Sequence, residues 1–259
     1  MMPLFFGPSQ RPLFGAYHPA AQRGDRGVVL CNPWGEEYLC AHPSLGLLAR
    51  QLAGAGNHVL RFDYGGTGDS GGMATEGTLK TWRDDLEWAL DEIRDLGDVR
   101  KIAIVGLRLG GTLAALAAAE RKDVDRLVLW DPVVDGSDYV RELLHDPEKV
   151  THSSAHADLA RREGREVPEI GGFALTPAMR RGLEEIDGSS FTGPLPATLL
   201  VSIHRSAAAL RPIVDRLGDC ASSLRTEITE DPTIWLGTEE FGAGGMSVNA
   251  VRVITEWLT

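Results

Sequence analysis

The chain is short of cysteine, of positive charge and of long apolar runs, and each shortage removes a class of function. Its three cysteines, Cys31, Cys40 and Cys220, are an odd number without metal-ligand spacing. A disulfide framework and a zinc site are therefore excluded, and the thiols are expected reduced. Lysine and arginine number 26 against 37 aspartates and glutamates, for a formal charge of −11. That balance lacks the basic surface that nucleic acids and anionic membranes attract. No apolar run approaches the ~20 residues of a bilayer span, and the opening segment has no basic stretch before its apolar residues and is broken by Pro3 and Pro8. We expect no membrane insertion and a cytoplasmic location.

What is present is ordinary for a folded domain: 43% apolar and 24% charged residues. At 259 residues a single large α/β domain fits, with no internal repeat. Short apolar runs recur at 27–31, 58–63, 101–106, 126–131, 197–203 and 223–229. Near-continuous runs of this length suit parallel strands buried on both faces. Between them lie stretches of helical period. In 78–96, Leu79, Trp82, Leu86, Ala89, Leu90 and Ile93 fall on one face. The last segment is expected to turn Val248, Val251, Ile254 and Trp257 inward. The alternation predicts a doubly wound, mostly parallel sheet. One charge-rich stretch with Gly and Pro punctuation, 136–194, interrupts it and reads as an inserted helical lid over the carboxyl ends of the strands, where open α/β sheets bind ligands. A lid implies an enclosed pocket for a small molecule.

The stretch "VGLRLGGTLA" (105–114) has the frame of a nucleophile elbow. A strand runs into a helix through G-x-X-x-G, Gly106 and Gly110 allow the tight turn, and the central residue is thrust into the pocket. That central residue is Arg108, not serine. "CNPWGEEY" (31–38) fits the loop that supplies one oxyanion-hole amide, at Trp34, with Leu109 supplying the other. "FDYGGTGDSGG" (62–72) is similar to the D-x-x-G-x-G-x-S turn of serine aminopeptidase-like α/β-hydrolases. The α/β-hydrolase fold follows, but its serine chemistry does not. The nucleophile position holds arginine, and no histidine follows His204, where the fold's base belongs after the last strand. Asp131 and Asp135 are candidate acids without a histidine to orient. His204 is either a polar strand-end residue or a pocket residue.

These residues resemble the exosortase A system-associated α/β-hydrolases. The likeness rests on "NPWGEEY", "GLRLGGTLA", "GGFALTPAM" (171–179) and "TIWLGTEE" (233–240), the last with tryptophan where the histidine would stand. The resemblance implies an α/β-hydrolase fold, a nominal hydrolase and a role around envelope polysaccharide or natural-product assembly.

Three readings of Arg108 remain open. At a helix N-terminus its guanidinium is a receptor for the acidic group of a small ligand. Alternatively, Glu36 or Glu37 pairs with it and fills the old site, leaving a noncatalytic binding or scaffold protein. In the third, Glu36 or Glu37 acts as general base, with Arg108 and the amides of Leu109 and Trp34 stabilising an anion. An esterase or thioesterase using another nucleophile, with Cys31 as a rival, stands beside these. Trp34 and Trp235 are pocket wall or core. Nothing points to a cofactor or a metal, and the expected partner is an anionic small molecule.

Overall fold

The computed structural model describes residues 1–22, 24–151, 167–203, 205–236 and 245–259. Eight strands form one sheet: β1 (Met2–Phe6), β2 (Leu13–His18), β3 (Arg26–Cys31), β4 (His58–Phe62), β5 (Lys101–Leu107), β6 (Val124–Trp130), β10 (Leu195–Ser202) and β11 (Ala221–Ile228). Their order is β1-β2-β4-β3-β5-β6-β10-β11. β1 and β2 pair antiparallel, β2 runs antiparallel to β4, and the remaining neighbours are parallel. All six runs expected as strands are strands, displaced by at most two residues at either end.

Helices cover both faces. α1 (Glu36–Gly54) and the last helix, α7 (Val248–Leu258), close one face through Leu45, Leu48, Leu52, Val251 and Ile254. α2 (Leu79–Gly97), α3 (Leu109–Glu120) and α6 (Ala207–Cys220) close the other through Leu86, Leu90, Leu113, Leu210 and Leu217. The apolar side chains of the central strands are buried because both faces are roofed.

The N-terminal hairpin is the piece the period rules do not reveal. Pro3 and Pro8 break the pattern, yet β1 is the edge strand, where a missing N–H costs no ladder bond. Val248 is a correction, since it is exposed. It sits on the first turn of α7, before the buried face at Ala250, Val251, Val253, Ile254 and Leu258 meets the sheet. Between β6 and β10 the described residues form α4 (Gly136–Leu143), α5 (Pro177–Glu184) and a small antiparallel sheet of β7 (Val150–Thr151), β8 (Glu169–Ile170) and β9 (Phe173–Ala174). Among the described residues no helix is long and apolar enough to cross a membrane.

Candidate functional site

The turn from β5 into α3 has the geometry its glycines require. A Cβ on Gly106 would lie 2.2 Å from the carbonyl oxygen of Gly110, and one on Gly110 would lie 2.3 Å from that of Cys31. Only hydrogen fits at either place. Arg108 between them takes φ 53°, ψ −121°, a conformation that side chains rarely adopt and that surrounding structure must enforce. Its N–H donates to the Trp130 carbonyl at 3.0 Å, and its carbonyl accepts from Gly111 and Val133. The elbow is thus pinned between β6 and the loop after β3.

Arg108 is 2% exposed. Its Nε donates to Glu37 Oε1 at 2.9 Å and its Nη2 to Glu142 Oε2 at 2.9 Å. The guanidinium carbon lies 5.2 Å from the Tyr139 ring centre and 5.0 Å from that of Trp235, close enough for cation–π attraction. Tyr139 donates its hydroxyl to Glu37 Oε2 at 2.8 Å. Burial pushes the Glu37 carboxyl above its ordinary value while Arg108 and Tyr139 pull it back. Attraction to Glu37 and Glu142 outweighs burial at Arg108, which stays charged.

Of the two glutamates expected near the elbow, Glu37 meets Arg108 and Glu36 does not. Glu36 accepts from Lys149 Nζ at 2.9 Å and is part-exposed. Trp34 is buried and packs edge-on against Phe173 at 6.3 Å. A Cβ on Gly171 would lie 3.1 Å from the Glu36 side chain. Leu109 opens α3 and is fully buried. The stretches around Trp34, Arg108, Gly171 and Trp235, far apart in sequence, therefore meet in space. His204 and residues 237–240 lie outside the described residues.

Asp131 has a separate task. It is fully buried with φ 41°. Its Oδ1 accepts from the Ser202 hydroxyl and its Oδ2 from the Ile203 N–H at 2.8 Å. It ties the carboxyl ends of β6 and β10 together, and burial raises its carboxyl above the ordinary value. Cys31 is no nucleophile: it is fully buried, and burial pushes its thiol up to about 12.

A cavity of about 350 Å³ opens beside Arg108, walled by Tyr139, Glu142, Arg205, Val133 and Ile213 among others. The Arg205 guanidinium donates to the Pro132 carbonyl at 3.3 Å, and among the described residues it pairs with no carboxylate. Burial lowers its affinity for its proton. A second cavity, about 300 Å³, lies on the other side of Glu142 and is walled by Trp34, Glu37, Leu143, Ile170 and Trp235. Among the described residues no group of three or more His, Cys, Asp or Glu side chains could hold a metal ion.

The profile of the serine aminopeptidase S33 family matches residues 25–163, more than half of the chain. The chain belongs to that family of α/β-hydrolases. A 68-residue stretch is 44% identical to the human mitochondrial palmitoyl-protein thioesterase ABHD10. The stretch covers 26% of this chain and 21% of the relative, so the match spans about a fifth of that protein's length. Est1E from Butyrivibrio proteoclasticus, solved with ferulic acid, superposes with a TM-score of 0.63 at 16% identity, over 98% of this chain and 96% of that one. The Pyrococcus furiosus esterase Pf2001 gives 0.64 at 15%, over 99% and 89%. Mouse α/β-hydrolase domain-containing protein 10 gives 0.59 at 16%, over 100% and 97%. At these identities the structures establish the shared fold.

Within this S33 chain, the sequence reading missed Tyr139, Glu142, Lys149 and Arg205. Tyr139 and Glu142 stand three apart on α4, the spacing that puts two side chains on one helix face. That signal was legible in "DYVREL", but the sequence did not say which face meets the elbow.

Proposed function

We propose that this α/β-hydrolase binds an acidic small molecule at its elbow arginine and performs no acyl-enzyme chemistry. The observation that carries the reading is the cavity beside Arg108, into which two guanidiniums, Arg108 and Arg205, converge. Glu142 is the partner a ligand carboxylate or phosphate can displace. Its side chain is 47% exposed, against 9% for Glu37, and it holds Arg108 through the bond from Nη2. Apolar walls at Val133 and Ile213 would take the body of such a ligand. Both Glu37 oxygens already accept hydrogen bonds, which supports binding over proton abstraction by that carboxylate. The resemblance to exosortase-associated proteins supports, as that ligand, an intermediate of envelope polysaccharide or natural-product assembly.

Family membership and the thioesterase relative favour a second reading, hydrolysis of an ester or thioester by another nucleophile. One set of measurements separates them. A fluorophosphonate probe is expected to leave the chain unlabelled, and p-nitrophenyl acetate and acyl-coenzyme A to remain intact. A panel of small carboxylic acids is expected to contain members that raise the melting temperature of the wild type but not of Arg205→Gln. Probe labelling, or turnover lost in Arg108→Gln, would favour the hydrolase. A panel without any stabilising acid would overturn the binding reading.

A further inference from the structure

On α1, Tyr38, His42, Gly46 and Arg50 recur every four residues and form one row along the helix. The row lies beside the end of β4. Tyr38 donates to Asp63 Oδ1 at 2.6 Å, and His42 Nε2 lies 3.3 Å from Arg61 Nη1. A Cβ at Gly46 would lie 3.5 Å from Arg50 Nη1 and 3.6 Å from Arg61 Nη1. Two guanidiniums therefore converge over the bare backbone of Gly46. Glycine in mid-helix costs stability relative to alanine, and here it keeps the ground under both cations clear.

Nothing described neutralises them. Among the described residues neither Arg50 nor Arg61 forms an ion pair with a carboxylate. Asp63 attracts Arg61 from longer range, its oxygens being taken by Tyr38 and the Asp69 N–H. On the adjacent strand β2, Ala16 is the register partner of Arg61 and His18 that of Val59, so His18 shares the Arg61 face of the sheet. His18 is 6% exposed, and its Nε2, like Arg61 Nε, is buried without a hydrogen-bond partner. Burial, then Arg61, the N-terminal amine and Arg50, lower the His18 ring to about 4, so it is neutral at pH 7. The same two causes, burial and Arg61, lower His42. In a chain of net charge −11, two converging guanidiniums that form no ion pair with a carboxylate among the described residues are a local inversion.

We propose that Arg50 and Arg61, converging over Gly46 with His18 and His42 beside them, bind the phosphate group of a soluble small molecule. A phosphate offers more acceptor oxygens than a carboxylate to this many donors, and its double charge offsets two cations. The overall negative charge of the chain disfavours a lipid surface as the source of that phosphate. This site rests on residues that line neither cavity at the elbow and does not depend on the role of Arg108.

Inorganic phosphate is the probe, titrated into the full chain at constant ionic strength, with calorimetry and the histidine ring NMR signals as readouts. We expect saturable binding, with the His18 and His42 signals moving at the affinity that calorimetry reports. Arg50→Gln is expected to weaken it by about tenfold or more, the loss of a charge-assisted bond, and Arg205→Gln, which alters only the elbow, to leave the phosphate dependence of the His18 and His42 signals unchanged. Arg50 is exposed, so its variant keeps the fold and decides the matter even where Arg61→Gln does not. Ring signals that follow sodium chloride equally well, or an Arg50→Gln chain with wild-type affinity, would overturn the site. Phosphatidylcholine vesicles carrying phosphatidic acid are expected not to retain the chain. Retention that needs Arg50, without a response to inorganic phosphate, would overturn the soluble ligand.

Discussion

Arg108 and Arg61 both project from the carboxyl half of a parallel strand or the turn after it, and their surroundings are opposite. Arg108 is enclosed by two carboxylates and two aromatic rings. Arg61 has a second arginine, two histidines and a longer-range aspartate. A buried cation must be compensated from somewhere. The elbow carries its own counter-ions, so a ligand there has to compete with Glu142. Among the described residues Arg50 and Arg61 form no ion pair with a carboxylate, and Asp63 attracts Arg61 only from longer range, so an anion from solution meets less competition there. Distance to the old nucleophile position is therefore a poor guide to which arginine is free to bind.

The harshest test of this contrast removes the counter-ion from the elbow. Glu37→Ala leaves Arg108 buried beside an empty space and takes the acceptor from Tyr139. Breaking one side of a buried pair costs about 3–5 kcal/mol, to be read as a lowered midpoint in urea unfolding. The double variant Glu37→Leu/Arg108→Met, apolar at both ends, should recover most of that loss. A double variant as unstable as the single one would show that packing around the elbow, and not charge compensation, holds it.

The α1 row predicts an acid limit in the opposite sense. The folded pKa of His18, about 4, lies below its unfolded value near 6.5. Folding therefore favours the neutral ring. Its stability is fully present above pH 6.5 and is lost as pH falls through about 4. The linked change is about 3 kcal/mol at most between pH 7 and pH 4, and it should be smaller in Arg61→Gln, whose cation no longer opposes the ring proton. Urea midpoints measured across that window check it, and a His18→Asn chain with the same acid limb would assign the limb elsewhere.

A smaller effect separates hydrogen bonding from charge at the elbow. Tyr139→Phe removes one bond to Glu37 and keeps the ring under Arg108, so a loss of about 1–3 kcal/mol is expected. A loss comparable with that of Glu37→Ala would mean that the tyrosine hydroxyl contributes as much as the arginine to holding Glu37 in the elbow.

The fold was legible where physics acts locally. Strands roofed on both faces must be continuously apolar, which is why β3, β5, β6 and β10 could be read directly. The elbow was legible because Gly106 and Gly110 answer a steric demand that no other residue meets. The hairpin of β1 and β2 was hidden because an edge strand tolerates Pro3. At the elbow, "GEEY" placed two glutamates in reach, and only the pitch of α1 decides that Glu37 faces Arg108 while Glu36 turns to Lys149. Tyr139, Glu142 and Arg205 come from the insertion and a distant strand end, contacts that no spacing in the chain encodes. The α1 row was invisible for the same reason: Arg61 joins it only where α1 packs on β4.

The gentlest substitution sharpens the comparison most. Glu142→Gln keeps the shape of the side chain and removes its charge from Arg108. Because Glu142 is half exposed, its ion pair is worth about 0–1 kcal/mol, and the unfolding midpoint should hardly move. Ligand affinity should move instead. A carboxylic acid that binds the wild type by displacing Glu142 no longer competes with a like charge, so its affinity should rise by about threefold to tenfold, with Arg205→Gln reversing the gain. Affinity that falls with Glu142→Gln would mean that this carboxylate contacts the ligand, and that the elbow receives a cation or a hydrogen-bond donor in place of an acid.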